Sequence, residues 1–373
     1  MKKFWRGLLA VSVLTVGLFT GCGGNQAKNT DANKPADKIR VVTTVFPLYD
    51  WTRVLIGENS ERFEVTFLLG NGVDMHSYQP TSADFLKISD ADLCVFVGGE
   101  SDEWLEDALE NAKNDKMIKL NLMKVLGDKV KFEEHIEGME TDEHDHEDDD
   151  KHKHHNEISR SHGEHNEHDV HAAHEDHNGS SPHPQGAEPH KHDLEKDEHI
   201  WLSLKNAPLL CAAISDALGK VDANHKEAYQ KNLTVYQKEL ATLDDKYRQT
   251  IEAAPLKTLI FADRFPFRYL TDDYGLKYYA AFPGCSAETE ASFKTIAFLT
   301  DKARKLKPKA ILTVEGRSHQ IAESVAQNAA EPGMKILTLD SMQATTAKDA
   351  QSGVTYLGVM SENLNILKEA LSK

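Results

Sequence analysis

Apolar positions along this chain recur in two series of short runs separated by helical stripes. Residues 39–46, 63–69, 91–97 and 117–122 read as strands, with helices predicted over 47–56, 82–89 and 103–112. A further helix over 201–218 would complete this first unit. The second series has strands at 258–261, 278–281, 310–314 and 335–339, with helices near 266–274, 291–306, 318–330 and 355–371. Strands alternating with helices imply parallel sheets with right-handed crossovers, so the expected class is α/β, built as two βα lobes. Between the series, residues 222–253 contain neither Gly nor Pro. Their apolar positions Tyr229, Leu233, Tyr236, Leu240, Leu243, Tyr247 and Ile251 are spaced as one helical stripe. A helix of about 30 residues is about 45 Å long, enough to join two lobes stiffly.

The ends and the middle of the chain break the pattern. A short basic start, an apolar run over 7–19 and Thr20-Gly21-Cys22 have the form of a secretory signal over 1–21. The small residues before Cys22 point to lipidation there, followed by a flexible tether over 22–38. The expectation is an extracytoplasmic protein, periplasmic or lipid-anchored to the outer face of the cell membrane. The lobes are then assigned to 39–221 and 255–373, with the linking helix over 222–254. Cys94 and Cys211 lie in apolar runs and read as buried hydrophobes, whereas Cys285 lies in a loop. Three remaining cysteines argue against a disulfide framework.

An acidic, histidine-rich insertion at about 133–198 interrupts the first lobe. Fourteen of the 19 histidines fall between residues 141 and 192. His144, His146, His152, His154 and His155 are followed by His162, His165, His168, His171, His174 and His177, the last six at every third position. With 22 acids against 5 bases, the segment 133–198 carries −17, equal to the net charge of the whole chain. The acidity is therefore local, and the rest of the chain is balanced. Imidazole and carboxylate are ligands that Zn²⁺ takes readily. A tract with so little apolar content has no core of its own and suits loose, exchangeable binding by shifting pairs of imidazoles.

In two parallel-sheet lobes joined in series, a ligand is expected at the carboxyl ends of the strands. His76 lies in the loop after the second strand, in Gly72-Val73-Asp74-Met75-His76-Ser77-Tyr78-Gln79-Pro80. His199 follows the tract in Glu198-His199-Ile200-Trp201-Leu202, and Asp340 follows the last strand. Two histidines and a carboxylate suit Zn²⁺ with a position left to fill. With the bridging helix and the insertion before His199, these motifs resemble the zinc- and manganese-specific solute-binding proteins of ABC importers, over nearly the whole mature chain. The resemblance implies a cation held between the lobes by His76, His199 and Asp340. It also implies a membrane permease with a cytoplasmic ATPase as partners, and a monomer. The zinc members add a histidine after the first strand of the second lobe, where this chain has Ala262. Asp263 is the expected replacement, with Cys285, Glu288 and Glu315 as rivals. Two histidines with two carboxylates would resemble the Mn²⁺ members, but the tract favours Zn²⁺.

An enzyme is disfavoured: the chain has no His-Glu-x-x-His helix, no Gly-x-Ser-x-Gly elbow and no phosphate loop. A surface zinc-storage protein or adhesin, in which the tract is the whole function, is the remaining alternative; cleft-facing ligands speak against it. Nucleic-acid binding is disfavoured because the body is charge-neutral and the tract repels phosphate.

Overall fold

The computed structural model describes residues 38–140, 195–286, 290–316 and 318–373. The expected signal, Cys22, the expected tether up to residue 37, the histidines from His144 to His177 and Glu288 lie outside them. Among the described residues no helix is long and apolar enough to cross a membrane.

The first sheet consists of β1 (Ile39–Thr43), β2 (Phe63–Phe67), β3 (Leu93–Phe96) and β4 (Ile118–Asn121). They pair in parallel in the order β2-β1-β3-β4. The second consists of β5 (Thr258–Phe265), β6 (Lys277–Pro283), β7 (Ala310–Val314) and β8 (Lys335–Leu339), parallel in the order β6-β5-β7-β8. The two orders are the same topology repeated, as the alternating pattern predicts. Around the first sheet lie α1 (Phe46–Ile56), α2 (Ser82–Ser89), α3 (Glu103–Glu110), α4 (Leu122–Leu126) and α5 (Ala207–Val221). The long helix α6 (Lys226–Ala253) follows, then α7 (Arg268–Tyr274), α8 (Phe293–Leu306), α9 (Gln320–Ala329), α10 (Ala347–Gln351) and α11 (Tyr356–Ala370).

All seven apolar positions of the predicted stripe are the buried residues of α6. That face packs on α1 and α5 of the first lobe and on α7 and α11 of the second, so one core runs through both. Alternation along β5 explains the layering of the second lobe. Leu259 and Phe261 join this common core, while Ile260 and Ala262 join a separate cluster under α8 and α9. The lobes also lock directly. The Trp51 ring of α1 meets Tyr356 of α11 edge-on at 4.9 Å, and the Tyr356 amide donates to Asp50 at 2.9 Å.

Two elements differ from the sequence expectation. The helix expected over 201–218 is split into a 3₁₀ turn, Ile200–Leu202, and α5, because Pro208 near the start of α5 has no N–H to continue an earlier helix. Strand β5 runs on to Phe265 instead of stopping near 261, with a register shift between Phe261 and Arg264. Ala262 and Asp263 thus sit within an irregular strand and not in a loop after it.

Candidate metal centre

His199 is fixed by the residues just before it. Its amide donates to Asp197 Oδ1 at 2.8 Å, and its Nδ1 lies 2.9 Å from the same oxygen. The 3₁₀ turn that follows is buried throughout, and the Trp201 indole donates to the Ser341 carbonyl of the second lobe at 2.9 Å. The Tyr356 hydroxyl donates to the Trp201 carbonyl at 2.7 Å. Packing on both sides therefore leaves His199, which has no exposed surface, one orientation. Burial opposes protonation of its imidazole, but the Asp197 carboxylate outweighs burial and raises its pKa.

His76 sits on a single 3₁₀ turn, Met75–Ser77, whose N-cap Asp74 accepts from the His76 amide at 3.0 Å. The other oxygen of Asp74 pairs with buried Arg264 of β5, across the lobes. Burial works against that carboxylate, yet Arg264 holds its pKa below the usual range. His76 Nδ1 lies 2.9 Å from Ser101 Oγ and 3.5 Å from Glu198 Oε2. Glu198 itself is buried; Oε1 accepts from the Ser101 amide at 2.8 Å, while Oε2 has no hydrogen-bond partner among the described residues. Burial raises its pKa against the pull of Ser101. Gly99, at φ +95°, makes this possible: a Cβ there would stand 2.3 Å from Glu198 Oε1.

The two imidazoles meet through their other nitrogens, Nε2 to Nε2 at 3.3 Å. With His199 Nδ1 bonded to Asp197 and His76 Nδ1 to the Ser101 hydroxyl beside Glu198, the two Nε2 atoms are left to face each other. Zinc–nitrogen bonds of about 2.0–2.1 Å at a tetrahedral angle place two nitrogens about 3.3 Å apart. A carboxylate behind each ligating histidine is the support that metal sites use to fix tautomer and direction. Asp197 and Glu198 in these roles were not anticipated, although both stand directly before His199 in the sequence.

Cys285 approaches from the second lobe, two residues past β6. Its sulfur and one ring nitrogen each of His76 and His199 lie within 4.8 Å of one another. Its amide donates to Glu133 Oε1 at 2.7 Å, and the close approach depends on Gly284, whose added Cβ would stand 2.8 Å from the Phe265 carbonyl. Burial pushes the thiol pKa up, and the Glu133 carboxylate pushes it further. Glu133 belongs to the base of the insertion, where its amide donates to the Glu195 carbonyl at 2.8 Å and Phe132 bridges Lys196. From there residues 134–140 run along the second lobe. Arg268 pairs with Glu134, Thr295 donates to the Gly138 carbonyl at 3.1 Å, and the Glu140 amide donates to the Ala281 carbonyl at 2.9 Å.

Asp263, Asp340 and Glu315, expected ligands among the described residues, have partners of their own. Asp263 is buried, with Oδ2 accepting from the Val314 amide at 3.0 Å and Oδ1 from the Arg264 amide at 2.9 Å. Asp340 follows β8, accepts from the Met342 amide at 2.7 Å and is pushed up to about 7 by burial and by Glu315. Glu315 is held by the Ser341 amide and hydroxyl, both at 2.7 Å. None of these three joins the close group formed by His76, His199 and Cys285.

Comparison with known proteins points the same way as this geometry. Residues 41–370 match the family model described as "Zinc-uptake complex component A periplasmic". The chain is 30% identical over 337 residues to the zinc-binding lipoprotein AdcA of Streptococcus pneumoniae, covering 90% of this chain and 56% of that protein. It thus spans only about half the length of that relative. It is 29% identical over 371 residues to the high-affinity zinc uptake system protein ZnuA of Bacillus subtilis, covering 100% of this chain and 99% of that one. Among solved structures, the Zn(II)-bound ZnuA-like domain of S. pneumoniae AdcA superimposes with a TM-score of 0.62 at 25% identity, covering 90% of this chain and all of that domain.

Proposed function

Because the chain belongs to the zinc-uptake complex component A family, we propose that it is an extracytoplasmic receptor that captures Zn²⁺ between its lobes and delivers it to the permease of an ABC importer. The zinc is cargo. The observation that carries this reading is the pair of Nε2 atoms 3.3 Å apart, each ring backed by a buried carboxylate. Such a pair is costly to hold empty and well suited to a cation. Lipidation at Cys22 would keep the receptor near the permease. The insertion would gather zinc by its imidazoles close to the mouth of the site, since its base lies beside Cys285.

Titration calorimetry of the full chain tests the reading. One tight zinc site is expected above a background of weak ones, and His199→Ala or His76→Ala should remove the tight site and leave the weak ones. Because outer-shell changes alone cost about 10–100-fold in metal affinity, loss of a ligand should cost at least about 100-fold. Tight binding that survives both substitutions would refute the proposal. Deletion of residues 141–192 should do the reverse, removing the weak sites alone; and Cys22→Ala should release the protein from membranes without changing the tight site.

A further inference from the structure

We infer that Cys285 is the third protein ligand of the cargo metal, taking by a thiolate from β6 the place that the resemblance gives to a histidine on β5. The inference rests on the receptor reading and names the chemistry of its site. The position on β5 cannot serve: Ala262 is 3% exposed and packs in the apolar cluster under α8 and α9. Its neighbour Asp263 has both oxygens engaged by backbone amides, of Val314 and Arg264. Cys285, by contrast, already stands with the two imidazoles, its sulfur within 4.8 Å of one ring nitrogen of each. Beside it, the buried Oε2 of Glu198 has no hydrogen-bond partner among the described residues and faces His76 Nδ1. His76, Ser101, Glu198 and Cys285 are among the residues lining one cavity, so Cys285 and His76 border the same space. Its loop is also built and not incidental, pinned by Glu133 from the base of the insertion and by the close backbone approach at Gly284.

Coordination forms one metal–sulfur bond, and the thiol proton leaves to solvent. A thiolate with two imidazoles favours zinc, cobalt and cadmium over manganese, which prefers harder oxygen ligands. Cys285 would therefore set the selectivity that the charge of the site alone cannot.

The full chain loaded with one equivalent of Co²⁺ should show an intense near-ultraviolet thiolate-to-metal band. Imidazoles of the insertion cannot produce that band, and Cys285→Ser should abolish it. Cys285→Ser should also lower tight zinc affinity by about 10-fold or more while changing manganese affinity less than about threefold. Cys285→His should restore zinc binding without the band, which separates loss of a ligand from loss of fold. Zinc should also slow alkylation at Cys285, the other described cysteines, Cys94 and Cys211, having no exposed surface. Stoichiometric cobalt binding without the band, or unchanged zinc affinity in Cys285→Ser, would overturn the inference while leaving the receptor intact. Absence of any tight cobalt or zinc site in the unaltered chain would overturn the receptor reading itself.

Discussion

In the first lobe the chain leaves edge strand β2 through a loop that reaches His76; in the second it leaves the corresponding edge strand β6 and reaches Cys285. The topology is repeated, but the support is not. His76 and His199 each have a carboxylate at the nitrogen turned away from the site. Cys285 is held through its backbone, by a glutamate from the base of the insertion. On the proposed reading, the first lobe carries ligands oriented before metal arrives, and the second carries one whose position depends on a segment outside its own sheet. One fold thus supplies a rigid half-site and an adjustable half-site.

Substitutions behind the ligands test this contrast most sharply. Asp197→Asn should lower tight zinc affinity by about 10–100-fold, because the amide no longer fixes the His199 tautomer. Glu133→Gln should cost less, about 10-fold at most, since it leaves the sulfur free to ligate. Equal losses in calorimetry would erase the proposed difference between the halves. Next in size is Ala262→His, which puts an imidazole into a filled apolar layer. Overpacking should destabilise the fold by about 1–3 kcal/mol in denaturant titration. It should also fail to rescue zinc binding in Cys285→Ser; a rescue would mean that β5 can still serve the site.

A pH scan compares the lobes away from the metal. At the first-lobe end of α6, burial of Asp222 acts to raise its pKa, but bonds from Arg62, His225 and Tyr229 outweigh it and bring the value down to about 2. A carboxyl with a depressed folded pKa stabilises above its unfolded value of 3.8 and loses that stability as pH falls toward 2. With Arg62 43% exposed, the contribution is about 1–2 kcal/mol. Asp222→Asn should flatten the melting temperature between about pH 4 and 2; a profile that keeps its slope would assign acid sensitivity to other groups. The smallest effect is expected for Trp201→Phe, which removes the bond to Ser341. A cost of about 1 kcal/mol should appear in denaturant titration, and no loss at all would mean that this contact does not hold the lobes together.

The periodic elements could be read from the sequence because burial repeats along them, as the stripe on α6 shows residue by residue. His76 and His199 could be read because they stand in short motifs beside predicted element ends. What lay hidden was pairing over long separations. The first strand of the second lobe continues through two charged residues, Asp263 and Arg264, where the apolar run 258–261 has already ended. In the structure Asp74 from the other lobe neutralises Arg264, 190 residues away in sequence. The approach of Cys285 to His76 and His199 is supported by the Gly284 contact and by Glu133, neither of which has a local signature.

The run of chain from Glu133 to Glu140 has a thermodynamic consequence. Besides side-chain contacts at Glu134, Glu137 and Glu140, three of its bonds involve backbone groups on both sides of the gap between β6 and the first lobe or along the second lobe: Cys285 to Glu133, Thr295 to Gly138, and Glu140 to Ala281. At about 1 kcal/mol net each, they would restrict the widened form to about one molecule in a hundred. The Cys285 and Glu140 amides should then exchange with deuterium about 100-fold more slowly than unprotected amides, and together, as parts of one opening event. A receptor so clasped would hold its ion by default, and its release would draw on work done by whatever it docks against.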